Sequence, residues 1–372
     1  MDKKRVVVAM SGGVDSSVAA WLLKREGYDV IGITMCFNIS SGSRKRPSCC
    51  GIEGIEDARR VAEKIGIPHY VLNFGKDLES KVIDNFCSEY LKGRTPNPCV
   101  RCNQFLKFDL LLKKARALGA EFLATGHYAR IGYDKKSNKH LLKKGKDPQK
   151  DQSYFLYNIK KEAMQHILFP LGGYTKQQVR KIAKKIGMKV ADKPGSQEIC
   201  FIKEDYRDFL RDRLAKTRTR IKPGPIVDLQ GKILGRHNGI CFYTLGQREG
   251  LGIALGHRAY IVKIDKPANT ITLSKEEDLY SKGLVADSLN FLNRDFSNKP
   301  LIAKAKIRYN HKEADCRLTP LSRNQIKVEF LKAQRAITPG QSVVFYKKDI
   351  VLGGGIIKNS ISLTNQGSFS SF

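Results

Sequence analysis

The amino-acid sequence predicts an α/β protein, with an open parallel sheet carrying helices on both faces in its N-terminal half and two small β domains after it. Three observations carry this. Up to about residue 195, short apolar runs alternate with amphipathic segments of helical length. After Lys222-Pro223-Gly224-Pro225 helical periodicity largely ceases, and Gly-rich, strand-like segments take over. A chain of 372 residues with 41% hydrophobic content can bury two or three cores.

In chain order, Val6, Val7 and Val8 suit a buried parallel strand, and 14–25 places Val18, Ala19, Leu22 and Leu23 on one helical face. Residues 29–35 read as a second strand, 55–65 as a helix and 69–73 as a third strand. Helices follow at 78–91 and 106–118, then a strand at 121–125 ending in Gly126-His127. Ligands of such sheets bind at the carboxyl ends of the strands, which puts Met35, Gly126 and His127 on one rim with the turn after the first strand. A further helix at 176–186 has Val179, Ile182, Ala183 and Ile186 on one face. Strands are expected at 259–264, 270–274, 302–307, 326–330 and 342–346. The division is then 1–205, 206–280 and 281–360, with a frayed polar tail over 361–372. No internal repeat is visible.

Ser11-Gly12-Gly13-Val14-Asp15-Ser16-Ser17 occupies the turn from the first strand into the first helix. Backbone N–H groups converge there on the positive end of a helix dipole, and glycines allow close approach, so the turn suits an anion. Ser11, Ser16 and Ser17 offer hydroxyl donors. No lysine follows in the G-x-x-x-x-G-K-[ST] manner, which excludes the commoner P-loop arrangement. A bare Ser-Gly-Gly turn would equally serve as a plain helix cap.

The chain carries 67 Lys and Arg against 36 Asp and Glu, a net charge of +31. That points to a polyanionic partner, because basic side chains on phosphates release counterions. A lineage-wide lysine bias is the competing explanation. Clustering at Lys135, Lys136, Lys139, Lys143, Lys144, Lys146 and Lys150, and again at Arg207, Arg211, Arg213, Lys216, Arg218, Arg220 and Lys222, favours nucleic acid over a merely solvated face. No apolar run reaches membrane-spanning length, and a charged start leads straight into the first strand, so a cytoplasmic protein without membrane association is expected. Nine cysteines fit a reducing compartment.

Thr95-Pro96-Asn97-Pro98-Cys99-Val100-Arg101-Cys102-Asn103 is a proline-stiffened loop entering a helix near Gln104. Cys102 is expected near a helix N-terminus and Arg101, both of which lower a thiol pKa. Cys200 lies in 195–202, flanked by Pro194. Cys99 and Cys102 also suit buried small hydrophobes, and one C-x-x-C is a weak zinc pattern because a closed site needs four ligands. Cys49-Cys50 lacks metal-knuckle spacing. Cys99, Cys102 and Cys200 together have the number of thiols for an iron–sulfur cluster with one open iron; otherwise no metal ligands are assigned.

Val8-Ala9-Met10-Ser11-Gly12-Gly13-Val14-Asp15-Ser16-Ser17 resembles the PP-loop of the ATP pyrophosphatases, which split ATP between the α and β phosphates. Together with Gly93-Arg94-Thr95-Pro96-Asn97-Pro98, Cys102-Asn103, Thr125-Gly126-His127-Tyr128, Lys150-Asp151-Gln152-Ser153-Tyr154-Phe155-Leu156, Ile199-Cys200-Phe201-Ile202, Thr244-Leu245-Gly246-Gln247-Arg248 and Thr338-Pro339-Gly340-Gln341, it closely resembles the tRNA-specific 2-thiouridylases over almost the whole chain. One departure is that many members have Asp where this chain has Cys99.

The resemblance implies a PP-loop catalytic domain, a central β-rich domain and a final β-barrel. It implies 2-thiolation of the wobble uridine of tRNA, with ATP adenylating the base oxygen and magnesium offsetting phosphate charge. Ala9, Met10, Ser11, Gly12, Gly13, Val14, Asp15, Ser16, Met35 and Gly126 would hold ATP. Asn97, Pro98 and Cys99 would meet the target base. His127, Lys150, Asp151, Gln152, Arg308, Tyr309 and Gln341 would touch the tRNA, although His127 also suits a structural role at a strand end. Cys200 would receive sulfur as a persulfide from a donor protein, and Cys102 would complete transfer, leaving a transient Cys102–Cys200 disulfide. The chain is read as a monomer. Amide or amine ligation on the same loop, as in enzymes similar to GMP or argininosuccinate synthetase, would need neither paired cysteines nor a strongly basic surface. A non-catalytic RNA platform would have no use for an intact phosphate loop. Thiolation at another base is the nearest rival, but the chain shows no rhodanese-like C-terminal domain.

Overall fold

The computed structural model describes residues 3–37, 52–193, 199–202, 205–253, 255–292 and 299–361. Cys49, Cys50, residues 195–198 of the Cys200 segment and the tail from 362 onward lie outside the described residues. Contacts divide the chain into two compact units: 1–83, 98–204 and 348–352 form the first, and 84–97, 205–347 and 353–372 the second.

In the first unit, β1 (Arg5–Ala9), α1 (Val14–Arg25), β2 (Asp29–Cys36), α2 (Ile52–Ile65) and β3 (His69–Asn73) form two successive βαβ steps. With β4 (Phe122–Thr125) and β7 (Ile167–Leu168) they make a parallel sheet of order β3-β2-β1-β4-β7. Val6, Val7 and Val8 are all fully buried, so side chains on both faces of β1 are covered, as a central parallel strand requires. Val18, Ala19, Leu22 and Leu23 of α1 pack with Val6 and Val8, and with Val179 and Ala183 of a later helix. The order reverses between β1 and β4, and Ala9 pairs with Thr125 there. That switch point opens a crevice at the strand ends and places Gly126 beside the Ser11–Ser17 turn.

The rest of this unit contains α3 (Gly75–Leu78), a π-helical turn over Glu79–Ile83, α5 (Pro98–Arg101), a π-helix over Cys102–Leu111, α6 (Leu112–Ala117) and α7 (Lys176–Lys185). A hairpin of β5 (Ala129–Asp134) and β6 (Lys139–Lys144) carries the first basic cluster. The helix expected over 106–118 therefore begins at Pro98, which suits the first helical position because its missing N–H is unpaired there anyway.

The second unit contains α4 (Asp84–Leu91), α8 (Tyr206–Lys216) and a sheet of order β10-β11-β8-β9, formed from β8 (Gly224–Val227), β9 (Ile233–His237), β10 (Tyr260–Asp265) and β11 (Thr270–Ser274). It also contains a closed six-stranded barrel: β12 (Tyr280–Phe291), β13 (Leu301–Lys306), β14 (Ala314–Ser322), β15 (Gln325–Arg335), β16 (Ser342–Lys347) and β17 (Ile350–Ile361), closed by β12 against β17. Ile361, expected to fray, pairs with Gly283. Segment 84–97 joins this unit because Tyr90 stacks on Tyr206 at 4.6 Å and Phe86 meets Phe209 edge-on at 6.0 Å. Among the described residues no helix is long and apolar enough to cross a membrane.

Candidate active site

The turn after β1 has a geometry that suits an anion. Gly13 caps α1 in an extended conformation without any side-chain cap, so the first amides of the helix have no side-chain acceptor. Gly12 has φ of +75°, and a Cβ there would run into the Gly54 carbonyl. The serines divide their roles. Ser17 is fully buried and donates to the Gly13 carbonyl at 2.9 Å, so it fastens the turn and is no phosphate donor. Ser16 donates to the same carbonyl at 3.1 Å and accepts from the Ser11 amide at 3.2 Å, while Ser11 is exposed.

Gly126 closes the other side of the crevice. A Cβ there would lie 2.8 Å from the Asp15 carbonyl carbon and the Ser16 nitrogen, so the end of β4 touches the loop backbone directly. Gly126→Ala should cost about 1–3 kcal/mol of stability and displace the loop. Chemical denaturation and ATP titration check this; unaltered ATP affinity would show that the contact does not shape the loop. Met35, at the end of β2, is buried. Met10 is buried too, and its amide donates to the Ile33 carbonyl at 2.8 Å.

Two residues that sequence reasoning missed complete this corner. The Lys176 ammonium lies 2.6 and 2.7 Å from the two Asp15 carboxylate oxygens, and the Tyr128 hydroxyl donates to Asp15 at 2.7 Å. Burial, then the Asp15 charge, push the Tyr128 pKa up, so it remains a donor. The lysine absent from the loop thus arrives 161 positions later, on the first turn of α7, where Thr175 and Gln178 form a capping box. A cation there opposes the helix dipole, which was the available signal.

The cysteine pair differs from expectation in its electrostatics. Helical winding starts at Pro98, so Cys99 sits in the first turn and Cys102 lies one turn inside. Arg101 turns away from thiol activation: its Nε donates to the Lys81 carbonyl at 3.0 Å, and its guanidinium lies 4.8 Å from the Phe105 ring centre. Burial pushes the Cys102 pKa up, and pushes Cys99 to about 11 with help from the neighbouring Cys102. What opposes this is Lys107, whose charge favours the thiolate of both. Lys107 is five residues from Cys102, and the π-helical i→i+5 winding brings such positions together; π-helical insertions are frequent at functional sites. Neither Cys99 nor Cys102 is bridged. Asn103 donates to the Phe155 carbonyl at 3.1 Å, while its buried Oδ1 has no partner.

Cys200 is exposed, in a turn. Among the described residues no group of three or more His, Cys, Asp or Glu could hold a metal ion, so Cys99, Cys102 and Cys200 do not form a cluster ligand set in this conformation. The physical reason is their placement, one thiol at the surface and two in a helix wall.

His127 packs against Phe108 and Phe169, each about 6 Å between ring centres, and shares a 2.7 Å hydrogen bond with Thr125. Burial and Lys107 drive its pKa well below the usual histidine range, so it is neutral. The Asp151 carboxylate is occupied by the Gly145 and Ser153 amides and the Ser153 hydroxyl. Gln152 accepts from the Tyr128 amide at 3.0 Å, and Lys150 is exposed. In the second unit, Gln341 donates to the Thr95 and Pro96 carbonyls at 3.0 and 3.2 Å, the Thr95 amide donates to the Pro339 carbonyl, and a Cβ on Gly340 would lie 2.9 Å from the Thr95 backbone. The Thr338–Gln341 turn therefore clamps the loop just ahead of Asn97. Arg308 donates to the Arg335 carbonyl at 2.8 Å, and the Lys306 ammonium lies 5.4 Å from the Tyr309 ring centre.

The sequence matches three family models in series: tRNA methyl transferase HUP domain over residues 4–204, tRNA methyl transferase PRC-barrel domain over 207–275, and aminomethyltransferase beta-barrel domain over 281–357. It is 52% identical over 362 residues to the tRNA-specific 2-thiouridylase MnmA of Acetivibrio thermocellus, covering 96% of this chain and 100% of that one. The chain belongs to the tRNA-specific 2-thiouridylase family. Members from Pelotomaculum thermopropionicum and Clostridioides difficile are each 50% identical, over 97% and 96% of this chain and 99% of theirs. A PP-loop sheet followed by two β modules is thus the 2-thiouridylase arrangement in this chain, and Cys99, Cys102 and Cys200 all fall within its first module.

Proposed function

We propose that this chain is a tRNA-uridine 2-sulfurtransferase that uses ATP to replace the C2 oxygen of the wobble uridine by sulfur. The observation that carries the reading is an uncapped helix N-terminus with an adjacent lysine, in the same compact unit as a recessed cysteine pair. Curated relatives of about 50% identity over nearly the full chain carry the matching name.

A carbonyl-type oxygen is a poor leaving group. The uridine O2 attacks the α-phosphorus of ATP, the bond to the β,γ-pyrophosphate breaks, and pyrophosphate departs. The α1 amides would orient the phosphates, and Lys176 would offset developing charge. Magnesium fits as companion of the triphosphate, to be held by the phosphate oxygens, since the Asp15 carboxylate is taken by Lys176 and Tyr128. The three cysteines do not fit an iron–sulfur cluster as placed, and no step depends on one. Cys200, accessible at the surface, suits receipt of sulfur from a donor protein as a persulfide. Its terminal sulfur bonds to C2 as AMP leaves. The Cys102 thiolate then attacks the Cys200 sulfur, the sulfur–sulfur bond to the substrate breaks, and a thiocarbonyl and a Cys102–Cys200 disulfide result. A thiol reductant restores the pair. The target base must first leave its stack. The role divisions at 205/206 and 280/281 belong to the same proposal.

The deciding experiment incubates the protein with unmodified tRNA transcript, ATP, magnesium and a persulfide donor, and reads thiolated tRNA by retardation in a mercury-containing gel together with AMP and pyrophosphate. Retardation with wild-type transcript, and none when the wobble uridine is replaced by cytidine, is expected. Retardation of both transcripts would assign another base. Transcript binding should weaken roughly a hundredfold or more between 50 and 200 mM salt, as several phosphate contacts require. A flat response would remove the electrostatic basis for tRNA as partner.

A further inference from the structure

The Thr244–Arg248 motif has no part in the chemistry above, yet the fold builds a cleft around it. Arg207, Gly246, Gln247, Arg248, Glu249, Tyr260 and Arg335 line a cavity of about 460 Å³ within the second unit. The turn is held rigidly. Gly246 has φ of +83°, its amide donates to the Ile261 carbonyl at 2.7 Å, and the Ile261 amide returns a bond to the Gln247 carbonyl at 3.0 Å. Gln247 accepts from the Thr244 amide and donates to the Glu249 carbonyl. Arg248 is therefore presented from a fixed backbone.

Two more arginines come from distant parts of the chain. Arg207 lies in the first turn of α8, with its guanidinium beside the Tyr206 side chain, 5.7 Å from the ring centre. Arg335 ends β15 and stacks 5.3 Å from the centre of the Tyr260 ring. Each arginine has a carboxylate neighbour: Asp205 at 3.6 Å, Glu249 at 2.9 Å and Glu276 at 2.8 Å. All three acids are solvated, with side-chain exposures of 43, 85 and 48%, so water and salt weaken their hold. A guanidinium has five donors and these contacts use few of them. An entering anion with several oxygens can take the donors that remain, and charge-assisted bonds to guanidinium are among the stronger ones. Arg308, expected to touch tRNA, is hydrogen-bonded to the carbonyl of Arg335, one of the residues lining the cleft.

We infer that the Arg207–Arg248–Arg335 cleft is a docking site for a backbone phosphate of the RNA substrate, an inference that rests on the tRNA reading above. Arg248→Ala should weaken binding of unmodified tRNA transcript about five- to eightfold at 0.1 M salt and lower the log–log salt slope by about one. Arg248→Lys should restore the slope. Unaltered affinity and slope in an alanine variant that melts like the parent would overturn the site. A second measurement needs no variant: arginine-specific dicarbonyl labelling of the full chain, read by mass spectrometry. Micromolar transcript should protect Arg248, and inorganic phosphate at the same concentration should not. Equal protection by phosphate would reassign the cleft to a free anion. Transcript binding without protection of Arg248 overturns the cleft and leaves the thiolation reading standing, whereas no transcript binding by the parent overturns both.

Discussion

Cys102→Ser lowers sulfur transfer to tRNA by at least about a thousandfold while tRNA-dependent exchange of pyrophosphate into ATP stays measurable. The expectation follows from the division of labour within the first unit. The phosphate loop needs no thiol, and a hydroxyl at 102 cannot attack a disulfide-bonded sulfur at useful rates. Cys200→Ser should give the same split. Full thiolation by either variant would remove these roles. The structure adds a pH dependence of definite sign. Burial raises the Cys102 pKa, so the neutral thiol dominates at pH 7, and each unit of pH below that pKa raises the thiolate fraction about tenfold. Single-turnover transfer should therefore climb with a log slope of about one from neutral into the alkaline range. Lys107 is the charge that lowers this pKa, so Lys107→Met should move the whole profile to higher pH. A profile unmoved by Lys107→Met would show that the thiolate is generated by another group.

This electrostatic arrangement was the part of the site least legible in the sequence. Cys102 next to Arg101 and close to a helix start reads as an activated thiol by local rules. The fold reverses two of those inputs, because Pro98 begins the helix a turn earlier and Arg101 finds Phe105 and the Lys81 carbonyl. The replacement, Lys107, depends on π-helical winding that no i,i+3 or i,i+4 rule anticipates. The parallel sheet was legible because three consecutive valines and short glycine-bounded connections leave few alternatives to a buried central strand. Of the barrel strands expected, 302–307 and 342–346 match β13 and β16 closely, whereas 326–330 covers less than half of β15. Strand β15 runs on past Phe330 through exposed Leu331 and Lys332, where alternation fades, and pairs with β12 again at Gln334 and Arg335 after an irregularity in register. Segment 84–97 reads as ordinary continuation of the sheet domain, and it is tertiary contacts that assign it to the second unit, the aromatic ones of Phe86 and Tyr90 and the hydrogen bonds of Thr95 and Pro96 to the Thr338–Gln341 turn.

Lys176→Met is expected to cut ATP-dependent adenylation about a hundred- to a thousandfold, the range for losing one preorganised charge aimed at a reacting phosphate. The loop itself contains no lysine, yet a triphosphate on an uncapped helix needs more positive charge than three amides supply. Lys176 is 14% exposed and Asp15 31%, so the pair is shielded enough to hold its geometry and open enough to admit a ligand. Two roles are distinguishable. If Lys176 only tethers Asp15, then removing both charges with Asp15→Asn and Lys176→Met should restore the loop and with it the activity. If Lys176 faces the phosphates, the double variant should regain the roughly 1–3 kcal/mol of stability lost by leaving Asp15 to Tyr128 alone, and should regain no adenylation. Urea denaturation reads the first quantity and pyrophosphate exchange the second. Recovery of both would reduce Lys176 to a tether, whereas stability without exchange would make it the lysine of this loop, delivered by α7 instead of by the sequence that follows β1.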